Sequence, residues 1–96
     1  MKKINYSKNF KIFCDMNNVS LKSLKLLKND ASKRKYYRFT YYNKECLLMD
    51  SSLEKNSIEK FIKISKWLKL NHLSSPEIYI KDVKLGYLII EDFGET

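Results

Sequence analysis

Few side chains in this 96-residue chain could do covalent or metal chemistry. His72 is the only histidine, and Cys14 and Cys46 stand 32 positions apart with no Cys-x-x-Cys pair. A structural zinc site needs four ligands, so this set does not make one. Nucleophilic catalysis needs a nucleophile, a base and a group that orients the base. One histidine without a partner pattern gives no such set, and the carboxylates are scattered over turns and helix ends. Two buried free thiols in a reducing compartment account for the cysteines. His72, at the end of a helical stretch, fits a capping or surface role. Phosphate chemistry remains. Asp30-Ala31-Ser32 is a short polar turn whose backbone N–H groups could face a phosphate, and Lys33-Arg34-Lys35 adds three positive charges. A solvated surface turn would have the same composition.

Asp92-Phe93-Gly94 matches the triplet whose aspartate holds magnesium in protein kinases. That role requires a His-Arg-Asp loop well upstream, and the only histidine here is followed by Leu73-Ser74. The triplet is better read as the turn by which the chain leaves its last strand.

The net charge is +8, from 19 basic and 11 acidic residues, and 17 of the basic ones are lysine. Lys, Asn, Ile and Tyr make up 41 of the 96 residues, a bias that suits AT-rich codons. Most of the charge is therefore expected to form a solvated surface, with phosphate binding as the alternative. Readers of nucleic acid usually carry more arginine, whose planar fork grips phosphate and guanine. At 44% hydrophobic and 14% aromatic, the chain has material for one modest core and is not of disordered composition. Two glycines and one proline speak against a turn-dense all-β fold. No apolar leader is present and no unbroken apolar stretch exceeds four residues, so a soluble, cytoplasmic protein is expected.

The elements that must position these residues follow from periodicity. Residues 7–16 place Phe10, Phe13 and Cys14 at helical spacing behind a possible Ser7 cap. Residues 20–28 are ambiguous between helix and strand. Residues 36–42 alternate with Tyr37, Phe39 and Tyr41 on one face. Asn43-Lys44 offers a tight turn, and residues 46–49 return as a partner strand. Ile58, Phe61, Ile62, Ser65 and Leu68 define a helix over about residues 54–71, ended by Ser74-Ser75-Pro76. Residues 77–81 and 85–91 read as two further strands. The implied class is α+β, an antiparallel sheet with a helix packed on one face.

Read in order, four blocks resemble the N-terminal lobe of the aminoglycoside-phosphotransferase-like kinases, nearest the branch of cell-wall amino-sugar kinases acting on N-acetylmuramate and N-acetylglucosamine. The run from Asp30-Ala31-Ser32 through Arg34, Tyr36 and Arg38 resembles the branch's D-A-S-x-R-x-Y-x-R stretch. Leu48-Met49-Asp50 is similar to its V-M-D strand end, and Ser75-Pro76-Glu77-Ile78 to its V-P-E-[IV] approach to the fourth strand. Residues 86–94 are similar to G-[FY]-L-L-L-E-D-L-G, the fifth strand running into the hinge. The blocks cover residues 30–94.

The resemblance implies a protein-kinase-like N-lobe: a five-stranded antiparallel sheet, one long helix and a short N-terminal helix. Residues 1–20 would be a helical segment and residues 21–93 the sheet and long helix. By the resemblance, residues 22–28 are the first strand, and Ser32, Lys33 and Arg34 belong to the loop over the nucleotide phosphates. Met49 stands at the nucleotide-facing strand end, and the backbone of Glu91, Asp92 and Phe93 forms the hinge that hydrogen-bonds adenine. ATP and Mg2+ are the expected cofactors of the complete enzyme. The partners are a C-terminal lobe, expected to be absent from this chain, and a sugar held by that lobe. The chain departs from the usual pattern in having no obvious lysine on the third strand, so Glu59 of the long helix has no clear partner. An incomplete lobe would be inactive alone, because the catalytic aspartate and magnesium ligands belong to the other lobe. The alternative is a non-enzymatic basic α/β module for nucleic acid or an acidic protein.

Overall fold

The computed structural model describes residues 6–27 and 34–92. Helix α1 (Lys8–Met16) begins at the Ser7 cap, whose hydroxyl accepts from the Phe10 amide at 3.2 Å. It ends on Asn18, in the left-handed region at φ 58°, with the Val19 amide reaching back to the Cys14 carbonyl at 2.8 Å. A single 3-10 turn, Leu21–Ser23, leads into a two-residue strand β1 (Lys25–Leu26). Strands β2 (Lys35–Tyr41) and β3 (Lys44–Asp50) form the hairpin. Helix α2 (Asn56–Leu70), β4 (Ile78–Asp82) and β5 (Tyr87–Glu91) complete the chain.

The class is α+β: one five-stranded antiparallel sheet in the order β1-β2-β3-β5-β4, with two helices. Pleating sends alternate residues to opposite faces, and each face has its own core. Phe10, Phe13 and Cys14 of α1 pack on Tyr37, Phe39, Cys46, Leu48, Tyr87 and Ile89. On the other face Ile58 of α2, with Phe61 and Ile62, packs on Met49, Leu88 and Ile90. Helix packing on a single face is thus corrected: the sheet is covered on both sides. This explains why β5 is buried at four successive positions, since neither of its faces meets water.

Smaller differences have local causes. The hairpin turn is centred on Tyr42-Asn43 rather than Asn43-Lys44. Both residues have positive φ, 47° and 65°, as a two-residue loop requires if its twist is to match the strands. Of residues 22–27, Lys25 and Leu26 form the strand, and residue 28 lies outside the described residues. The final strand starts at Tyr87 because residues 83–86 turn, with Gly86 at φ 96° and its Cα against the Ser51-Ser52 backbone. His72 holds the left-handed position that closes α2, its amide on the Lys69 carbonyl and the Leu73 amide on Leu68, so it caps. Both cysteines are free and buried, and burial pushes the Cys14 thiol up to about 11. No helix among the described residues is long and apolar enough to cross a membrane.

Candidate functional site

Four of the seven residues expected at a nucleotide lie within the described part: Arg34, Met49, Glu91 and Asp92. Ser32, Lys33 and Phe93 fall outside it, as does the rest of the Asp30-Ala31-Ser32 turn. Arg34, Met49 and Asp92 are distributed along the α2 face of the sheet, whereas Glu91 alternates to the α1 face with Tyr87 and Ile89, and the four do not converge on one pocket. Strand register sets out the rows: Tyr36, Met49 and Leu88 lie across from one another, then Arg38, Leu47 and Ile90, with Glu45 and Asp92 beyond. At about 3.3 Å per residue, Arg34 and Asp92 are separated by roughly 20 Å along the strands.

Arg34 marks one end. Its guanidinium carbon lies 5.9 Å from the centroid of Phe61 on α2, and its Nη1 donates to the Tyr36 hydroxyl at 3.3 Å. Lys35 follows opposite Asp50. Met49 is fully buried under α2, in contact with the core rather than with an open surface. Glu59 is exposed and forms no ion pair among the described residues.

The other end, where the chain leaves β5, is more elaborate. Arg38 Nε donates to Asp92 Oδ2 at 2.8 Å, and the Asp92 side chain is only 7% exposed. The Asp92 amide donates to the Glu45 carbonyl at 3.2 Å, so both its backbone and its side chain are fixed to the hairpin. The Glu91 amide donates to the Glu77 carbonyl at 2.8 Å. The return bond is displaced: the Glu77 amide donates to Glu91 Oε1 at 3.2 Å, so among the described residues the Glu91 main-chain carbonyl lacks its ladder donor. Beside it lies an apolar pair, half-buried Leu47 opposite buried Ile90. Leu48, an alternative floor residue by sequence position, points into the α1 core instead.

Sequence reasoning missed Arg38 and Leu47 as site residues. The signal was present, because both alternate with the aromatic or apolar residues of the α1 face and must therefore point to the α2 face. Arg38 is also the last arginine of the D-A-S block, and it joins that block to the aspartate of the last one.

Among the described residues, no group of three or more His, Cys, Asp or Glu side chains could hold a metal ion. The chain matches no family model, no curated protein and no solved structure at a significant level.

Proposed function

We propose that this chain is the ATP-covering N-terminal lobe of a small-molecule phosphotransferase of the amino-sugar kinase type, working in the cytoplasm with a C-terminal lobe in the same or a separate chain. The observation that carries this reading is the end of β5. There the released Glu91 carbonyl, the Leu47–Ile90 apolar pair and the Asp92 carboxylate anchored by Arg38 adjoin one another. A carbonyl released from the ladder, next to the partly exposed edge of Leu47, would offer an adenine ring one acceptor for its amino group and an apolar contact for its face. The order of elements supports the same reading: three strands, a long helix, then two strands, the last running into the hinge.

In this role Ser32, Lys33 and Arg34 would lie over the phosphates and Glu91, Asp92 and Phe93 would hold adenine. Met49 would stand beside that floor, on the same face of the sheet, as part of the core under α2. Mg2+ would be held mainly by the second lobe, which would also supply the catalytic aspartate and bind the sugar. Phosphoryl transfer depends on positioning and charge neutralisation, and the described residues supply only the first of these for the base.

A second reading, a basic module that stacks single-stranded nucleic acid, is favoured by one patch. Tyr42 is 70% exposed and edge-on to Tyr41, and Lys44 Nζ lies 5.2 Å from the Tyr79 ring centroid. Calorimetry with ATP, tripolyphosphate and a short single-stranded oligonucleotide separates the two. The kinase-lobe reading expects ATP to bind better than tripolyphosphate. It is overturned if only the oligonucleotide binds. A downstream or adjacent coding segment with a His-Gly-Asp catalytic loop would supply the C-terminal lobe that this reading requires.

A further inference from the structure

A concavity of about 250 Å³ lies between α2 and the edge strand β4, on the opposite flank of α2 from Arg34 and Phe61. Its floor is apolar, made by Ile62 of α2 with Pro76 and Ile78. Lys66, Lys69 and Lys81 stand on its rim. Lys69 is bridged to Glu77 at 2.7 Å, whereas Lys66 and Lys81 form no ion pair among the described residues. Ser65 lies between floor and rim. It is 5% exposed, yet its hydroxyl makes no hydrogen bond among the described residues, and the surface it keeps faces the groove.

Each part constrains an occupant. A serine inside a helix commonly turns its hydroxyl onto the carbonyl one turn back. The Ser65 hydroxyl has no such bond among the described residues and keeps solvent contact at the groove, so it is available to donate to a ligand seated there. Three ammonium groups against one carboxylate leave excess positive charge, which favours an anion in the groove. Lysine serves as a point charge for a compact head group. The apolar floor requires that the anion carry a hydrocarbon body. The volume is below that of a drug-sized site and suits a body of one ring or a short chain.

We propose that the α2–β4 groove binds a small carboxylate with an apolar body. The body lies on Ile62, Pro76 and Ile78, and the carboxylate accepts from Ser65 and pairs with Lys66 and Lys81. This site is separate from the hinge and does not depend on the kinase-lobe reading.

The test is a titration of the full chain, followed by proton–nitrogen correlation spectra, with phenylbutyrate, phenylbutyramide, acetate and a short acidic peptide containing phenylalanine. Phenylbutyrate is expected to bind saturably and to move the amides of Ser65, Ile78 and Tyr79 most. The amide analogue is expected to bind at least about tenfold more weakly, the loss of one charge-assisted hydrogen bond. Acetate, which has the head without the body, should not saturate. Lys66→Ala with Lys81→Ala should weaken phenylbutyrate by a similar factor with the remaining spectrum unchanged, since both side chains are exposed. Ser65→Ala should do the same in a spectrum that reports folding directly. Equal affinity for acid and amide, shifts centred elsewhere, or tighter binding of the peptide than of phenylbutyrate would each overturn the proposal.

Discussion

Arg38 and Asp92, 54 residues apart in sequence, meet through a single 2.8 Å bond that ties the middle of β2 to the residue leaving β5. The Asp92 carboxylate is nearly buried and Arg38 is 29% exposed, so water screens this pair less than an ordinary surface ion pair. Removing the cation takes a charge-assisted bond from a nearly buried carboxylate. Arg38→Gln is expected to cost about 1–3 kcal/mol of stability in urea unfolding. Arg38→Lys should recover only part of it, because a terminal ammonium cannot reproduce a bond made by Nε. An unchanged urea midpoint for Arg38→Gln would mean that the pair anchors nothing.

Gly86 is constrained twice. Its φ of 96° disfavours any side chain, and a Cβ would come within 2.8 Å of Ser52 Cα and 3.0 Å of its nitrogen. Gly86→Ala should therefore destabilise by more than the strain alone, about 1–3 kcal/mol. Gly86→Asn, which tolerates positive φ elsewhere, should not rescue it, because the clash is with backbone. Thermal melts of the two variants check this, and an Asn variant as stable as the parent would contradict it.

The second layer is as much part of the core as the first. Phe10 and Phe13 are each 1% exposed, and Phe10 stacks on Tyr6 at 4.8 Å and meets Tyr87 edge-on at 5.5 Å. Phe10→Ala is expected to cost about 3–5 kcal/mol. Ile64→Ala on α2, 59% exposed, should stay within about 0.5 kcal/mol. Denaturant unfolding distinguishes the two.

Alkali should weaken the fold before acid chemistry of the cysteines becomes visible. Burial pushes Cys14 from 9.0 to about 11, and it pushes Tyr37 from 10.0 to about 12 with help from Asp50. Both groups hold their protons more tightly when folded. Below about pH 8 both are protonated in either state and contribute no slope. As the pH rises toward 12, the unfolded chain releases protons that the folded chain keeps, and stability falls. Unfolding midpoints measured across that range should drop from these groups, while thiol labelling of the native chain remains slow at neutral pH. Rapid labelling of Cys14 at pH 7 would contradict its burial.

Much of this fold was legible because its pattern is local. Ser7 with Phe10, Phe13 and Cys14 gave α1, the spacing from Ile58 to Leu68 gave α2, and the alternation through Tyr37, Phe39 and Tyr41 gave β2 with its correct face. The second layer was missed because a nine-residue helix does not announce which sheet face it covers. Only the continuous burial of residues 87–90 in β5 hinted that both faces were occupied. The turn was misplaced by one residue because Tyr42 takes a positive φ that its residue type disfavours. The end of β5 was readable as a strand leading into a turn, but the Arg38–Asp92 bond and the displaced Glu77–Glu91 ladder depend on register, which one sequence does not carry.

The central claim, that this lobe covers ATP, is tested most directly by mapping ATP onto the backbone amides of the full chain, with tripolyphosphate as control. ATP is expected to move Leu47, Ile90, Glu91 and Asp92, with tripolyphosphate leaving those four in place. Arg38→Gln should diminish the ATP-dependent shifts. Shifts that are the same for ATP and tripolyphosphate, or that gather at Tyr42, Lys44 and Tyr79 and leave Glu91 unmoved, would contradict it.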